Sequence, residues 1–90
     1  MPYLIKCTDK KNSLKIRLST REKHIEYLRL ISEKLILAGP ILDKKSDPIG
    51  TILVIDFENI DDVKLFVQND PYNKVGLFEK IDITKFKKVL

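Results

Sequence analysis

Ninety residues suffice for one domain, 1–90, with a single core and leave no room for a second. One cysteine, Cys7, excludes an internal disulfide, and with one histidine there is no Cys/His spacing for a structural zinc site, so no metal is expected. The formal charge of +4 is mild and mixed in sign; the basic clusters Lys10-Lys11 and Lys85, Lys87, Lys88 carry no aromatic stacking platform and read as solvated surface, with no nucleic-acid partner.

Met1 to Lys6 show no charged leader followed by a long apolar run, and no apolar stretch approaches membrane-spanning length. A cytoplasmic protein without a membrane partner is the expectation. Folded alone, a chain this short leaves about 40% of its unfolded-state surface exposed. Without disulfides or metal, oligomerisation is the usual remedy.

In chain order, Tyr3, Ile5 and Cys7 alternate with Leu4, Lys6 and Thr8, a period of two that predicts a strand over 3–8. Asp9 to Ser13 is a polar turn, and Leu14 to Leu18 leads into a helix. Ser19 with Glu22 has capping-box spacing, which predicts a helix start at Ser19 and a run to about Lys34. Its apolar stripe is Leu28, Ile31 and Leu35, with Ile25 and Tyr27 beside it and His24 on or next to it.

Leu35 to Leu42 reads as a second strand, kinked or at an edge because of Gly39-Pro40. A turn over 43–50 follows. Thr51 to Phe57 is a third strand, apolar on both faces (Ile52 and Val54; Leu53, Ile55 and Phe57), and therefore central. A second helix opens near Asn59, with Ile60, Val63, Phe66 and Val67 at helical spacing and Asp61 and Asp62 in its first turn. Asn69-Asp70-Pro71 ends it, and 77–84 form the last strand.

The order βαββαβ predicts a ferredoxin-like α+β fold, a four-stranded antiparallel sheet with two helices on one face. Two helices leave the other face of the third strand uncovered. A second copy of the chain, packed sheet on sheet as a homodimer, is the simplest cover.

The chemistry-bearing residues gather at the helix ends. His24, the only histidine, is placed near the start of the first helix, pointing at the sheet. Arg21 lies one turn before it in the first helical turn, where free N–H groups favour an anion, and its positive charge favours the neutral, basic imidazole. Asp70 follows the second helix, where carbonyl ends make a carboxylate less comfortable. In a split βαβ fold the start of one helix approaches the end of the other, so Asp70 can hold the tautomer of His24. A packed, hydrogen-bonded histidine and an Asp-Pro stop signal are the bland alternatives. Cys7 reads as a small core residue rather than a nucleophile. Tyr72 either lines a pocket or staples its loop.

Arg17-Leu18-Ser19-x-Arg21-x-x-His24 resembles the R-L-(S/A)-x-R-x-x-H segment of YciI-like (YCII-related) proteins. Ala38-Gly39-Pro40, Gly50-Thr51 with the run to Glu58, Asp70-Pro71-Tyr72, Val75-Gly76-Leu77-Phe78-Glu79 and Phe86-Lys87-Lys88-Val89-Leu90 are similar to that family's motifs, in order along the whole chain. The resemblance implies a fold of the dimeric α/β-barrel group and a site built on a histidine and an aspartate, matched here by His24 and Asp70. Arg21, Arg17 and Tyr72 are the candidate substrate-binding residues. A dehydrochlorinase of chloroaromatic degradation is a related member. The implied function is cofactor-independent acid–base chemistry, elimination or isomerisation, on a small polar organic molecule. The alternative is a non-enzymatic small-ligand-binding or interaction module of the same fold. Asp43 to Gly50 is shorter than in typical members, Thr84-Lys85-Phe86 lacks the family's proline, and Val75 stands where alanine is common.

Overall fold

The alternation at the start of the chain becomes strand β1 (Tyr3–Asp9), with Tyr3, Ile5 and Cys7 buried. A computed structural model describes residues 1–90 and continues with α1 (Leu14–Arg29), β2 (Leu35–Leu42), β3 (Pro48–Ile55), α2 (Ile60–Gln68), α3 (Pro71–Lys74) and β4 (Phe78–Lys85). The strands form one sheet in the order β2-β3-β1-β4, every pair antiparallel. This is the ferredoxin-like arrangement, with β3 interior and β2 at an edge. Pro40, which has no N–H to donate, therefore sits where a strand tolerates it.

Register sorts the side chains. Tyr3, Ile5 and Cys7 face Ile55, Leu53 and Thr51 across β1 and β3, all on the side the helices cover. Leu4 and Lys6 pair with Val54 and Ile52 on the opposite side. The core joins Ile5, Leu53 and Ile55 to Leu28 of α1, to Val63 and Phe66 of α2, and to Leu77. Ile5, Ile55, Val63 and Leu77 have no exposed surface at all.

α2 starts where its sequence signals place it. Asn59 caps it by accepting from the N–H of Asp62 at 3.0 Å, and Asp61 and Asp62 occupy its first turn. α1 does not. It begins at Leu14, with Ser13 at its N-cap position, and Ser19 lies inside it. The Ser19 hydroxyl donates to the Ile16 carbonyl at 3.0 Å instead of capping anything.

The physical reason is the composition of the buried face of α1, which is Arg17, Thr20, His24 and Leu28. Three of these are polar, so the first turns carry no apolar periodicity to read. The helix also ends early, at Arg29; Ile31 and Leu35 still pack against the core, the one from the following turn and the other from β2.

Asp70-Pro71 is not only a stop. Asp70 caps the single turn of α3, its side chain accepting from the N–H of Tyr72 at 2.9 Å, with Pro71 leading the helix. Gly76, at φ +74°, closes that turn in a conformation a side chain would strain. No helix of the chain is long and apolar enough to cross a membrane.

Candidate functional site

α1 brings His24 to the sheet in its later half, not near its start, and Arg21 sits mid-helix rather than in the first turn. The N–H groups around Arg21 are therefore inside the helix ladder and cannot receive an anion. Likewise, Asp70 does not face the carbonyl end of α2 unaided; its carboxylate caps the N-terminus of α3, where negative charge is favoured.

His24 and Asp70 meet. Nδ1 of His24 is 2.9 Å from Oδ1 of Asp70. The pair is buried, at 6% and 1% exposure. A carboxylate can only accept, so Nδ1 carries the hydrogen and the lone pair of a neutral ring is on Nε2. Nε2 has no partner in the chain, yet no buried nitrogen or oxygen lacks one. It is therefore not sealed off, and His24 is one of the residues that line the neighbouring cavity.

That cavity is about 460 Å³ and lies between α1 and the β2–β3 end of the sheet. Ile25, Leu28 and Leu35 give it an apolar wall, and Arg21 and Arg29 stand at its rim. Arg21 is exposed and pairs with no carboxylate.

Arg17 behaves differently. It lies within α1, buried, and its terminal nitrogens are engaged by the protein. Nη1 donates to both carboxylate oxygens of Asp9 at 3.2 Å, and Nη2 to the Gly50 carbonyl at 2.7 Å and to the Thr51 hydroxyl. Burial pushes the Asp9 carboxyl up, against the opposing pull of the Arg17 guanidinium. Arg17 thus ties α1 to β1 and β3. Gly50 is needed at this crossing, since a Cβ there would stand 2.5 Å from the Cys7 carbonyl oxygen.

Tyr72 links the two groups. Its ring stacks on His24 with centroids 4.0 Å apart and planes at 23°, and the Arg17 guanidinium carbon lies 4.6 Å from the ring centroid. It both lines the cavity and holds the loop after α2. Cys7 lies in the core with its thiol pushed up to about 12, by burial first and by the Asp70 carboxylate second, which removes nucleophilic character. No group of three His, Cys, Asp or Glu side chains is placed to hold a metal ion.

The sequence reading missed Asp9, Gly50 and Thr51 as partners of Arg17, and Arg29 at the rim. Asp9 reads in the sequence as the first residue of a polar turn, with no signal that Arg17 folds back onto it.

A four-stranded split βαβ sheet, with a buried imidazole–carboxylate pair opening on a cavity under its first helix, defines a ferredoxin-like protein with a small-molecule-sized site. The family model described as YCII-related domain matches residues 1–87, and the chain belongs to that family. Protein YciI of Escherichia coli O6:H1 is 34% identical over 97 residues, covering 99% of each chain. An uncharacterized protein of Haemophilus influenzae is 31% identical over 97 residues, again covering 99% of each. Among solved structures, 5-chloro-2-hydroxyhydroquinone dehydrochlorinase (TftG) of Burkholderia phenoliruptrix AC1100, in complex with 2,5-dihydroxybenzoquinone, superposes with a TM-score of 0.90 at 33% identity, over 97% of this chain and 94% of that one. An antibiotic biosynthesis monooxygenase, 12% identical with a TM-score of 0.59, shares the fold alone.

Proposed function

We propose that the protein is a cofactor-independent acid–base catalyst acting on a small polar organic molecule bound in the cavity under α1. One observation carries the reading: the 2.9 Å contact between His24 Nδ1 and Asp70 Oδ1, in a histidine that lines the cavity and whose Nε2 has no partner in the chain. Nε2 takes a proton from a C–H or O–H bond of the substrate, and Asp70 stabilises the resulting imidazolium. The released electron pair moves into the substrate. In an elimination it expels a leaving group such as chloride; in an isomerisation the imidazolium returns the proton at another atom. Arg21 at the rim neutralises charge on a substrate oxygen. The dehydrochlorinase activity and quinone complex of the 33% identical TftG support an oxygenated ring as the substrate type.

The test is chloride release from 5-chloro-2-hydroxyhydroquinone by the wild type and by His24→Ala. Loss of about 10²–10⁴-fold in turnover with the fold retained is the expected result. Equal turnover in the variant rejects the catalytic role, and binding without any turnover leaves only a ligand-binding module.

Two copies associate, in the same proposal, through the sheet face opposite the helices. Leu4, Ile52 and Leu37 share that face by register around Val54, which is already buried, and Leu37 is 50% exposed. No helix of this chain covers it, and a chain of 90 residues gains most from burying such surface.

A further inference from the structure

Tyr72 is 2% exposed, held by its stack on His24 and by the Arg17 guanidinium near its ring. Its backbone N–H is committed to Asp70. Its phenol oxygen is not: it has no hydrogen-bond partner in the chain, and yet no buried oxygen or nitrogen is without one. The hydroxyl is therefore not sealed off, and Tyr72 is one of the residues that line the cavity. The site thus holds two nearly parallel rings, each with one unused polar atom. Nε2 of His24 is an acceptor, and the hydroxyl of Tyr72 is a donor.

We infer that Tyr72 is a further catalytic residue of this site, its hydroxyl donating a hydrogen bond to the ligand oxygen on which negative charge develops as His24 removes a proton. The inference rests on the acid–base reading above and narrows the substrate class. The ligand carries a phenolic, carbonyl or quinoid oxygen at or conjugated to the acidic position, on a flat body that the apolar wall of Ile25, Leu28 and Leu35 accepts.

The step balances without any added reactant. The C–H or O–H bond breaks, and the proton goes to Nε2. From a C–H bond the electron pair forms the new C=C bond and the displaced carbonyl pair rests on the oxygen that Tyr72 faces; from a phenolic O–H bond the pair stays on that oxygen. The phenol keeps its own proton throughout. Burial raises the Tyr72 hydroxyl above its ordinary 10.0, outweighing the opposing pull of Arg17 and Arg21, so it remains a donor at neutral pH. A donor preset toward a developing oxyanion is an effective form of transition-state stabilisation.

Tyr72→Phe keeps the ring and its stack and deletes only the oxygen. Binding of 2,5-dihydroxybenzoquinone is measured by its visible absorbance for the wild type, Tyr72→Phe and His24→Ala. An affinity loss of about tenfold or more in Tyr72→Phe, with an unchanged unfolding midpoint, is expected. Equal affinity overturns the role of Tyr72 and leaves His24 as base. Failure of the wild type to bind overturns both this inference and the reading beneath it. Should Tyr72→Phe not fold, 3-fluorotyrosine at position 72 supplies a stronger donor of nearly the same shape. Tighter quinone binding then supports the role, and unchanged binding overturns it.

Discussion

His24 and Asp70, 46 residues apart in the chain, are joined by a contact of 2.9 Å between Nδ1 and Oδ1. The same Oδ1 lies 2.9 Å from the backbone nitrogen of Tyr72, so one acceptor fixes both the imidazole and the turn of α3. Asp70→Asn keeps that acceptor and removes its charge. An amide oxygen in the Oδ1 position can accept from both N–H groups, but a neutral amide stabilises an imidazolium far less than a carboxylate does. The expected result is a fold close to wild type, a proton still on Nδ1 in ¹⁵N spectra of the ring, and turnover lowered about 10²–10⁴-fold. Asp70→Ala also removes the cap and orphans a buried donor, and loses about 2–4 kcal/mol in urea unfolding. Unchanged turnover in Asp70→Asn would contradict the charge-stabilising role.

Asp9 and Arg17 form the other buried pair, with side chains 6% and 5% exposed. Asp9→Ala leaves the guanidinium charged and unpaired in the interior, at a cost of about 3–5 kcal/mol. Against a total stability of about 5–15 kcal/mol for a domain, that is a severe loss. Urea titration checks it. The double replacement Asp9→Leu with Arg17→Met removes both charges and should be markedly milder than Asp9→Ala alone; equal losses would refute the ion-pair account.

Alkaline pH should weaken the fold through Cys7. The native state holds the thiol proton up to about 12 against an ordinary 9.0, because burial and then Asp70 disfavour the thiolate. The unfolded chain releases that proton first. Stability is thus complete below pH 9 and declines as pH rises from 9 toward 12, by at most about 1.4 kcal/mol per pH unit for this group. Tyr27 and Tyr72, both raised from 10.0 chiefly by burial, act in the same direction at higher pH. Unfolding midpoints at pH 8, 9 and 10 should fall for the wild type and stay flatter for Cys7→Ala. A thiol reagent should react only after unfolding.

Ser19→Ala distinguishes the two places at which α1 could begin. A lost N-cap would cost about 1 kcal/mol. Ser19 is instead an exposed residue inside the helix, where alanine is the better helix former by about 0.5 kcal/mol. Thermal unfolding of the variant should show no loss and a small gain; a clear loss would restore the capping-box start.

Association through the uncovered sheet face predicts a dimer in sedimentation equilibrium at micromolar concentration. Ile52→Lys places a charge at the centre of that face, opposite Lys6, and should yield monomers. A wild-type monomer under the same conditions would reject the association.

Much of the architecture is legible along the chain because local pattern reports it. The period of two in β1, the two-sided apolar run of β3 and the Asn59 cap of α2 each follow from which residues avoid water and which satisfy free N–H groups nearby. His24 and Asp70 could be named from family likeness, but the helix-start placement of His24 was wrong and the pair could not be joined atom to atom. The first turns of α1, the Asp9–Arg17–Gly50–Thr51 cluster and the capping duty of Asp70 were not legible. Their residues are polar and buried, and a buried polar group is stable only beside the partner that satisfies it. Apolar periodicity is a property of neighbours in sequence. The partner of Arg17 on β3, like the partner of His24 after α2, arrives only when the sheet closes, and so the tertiary structure alone decided them.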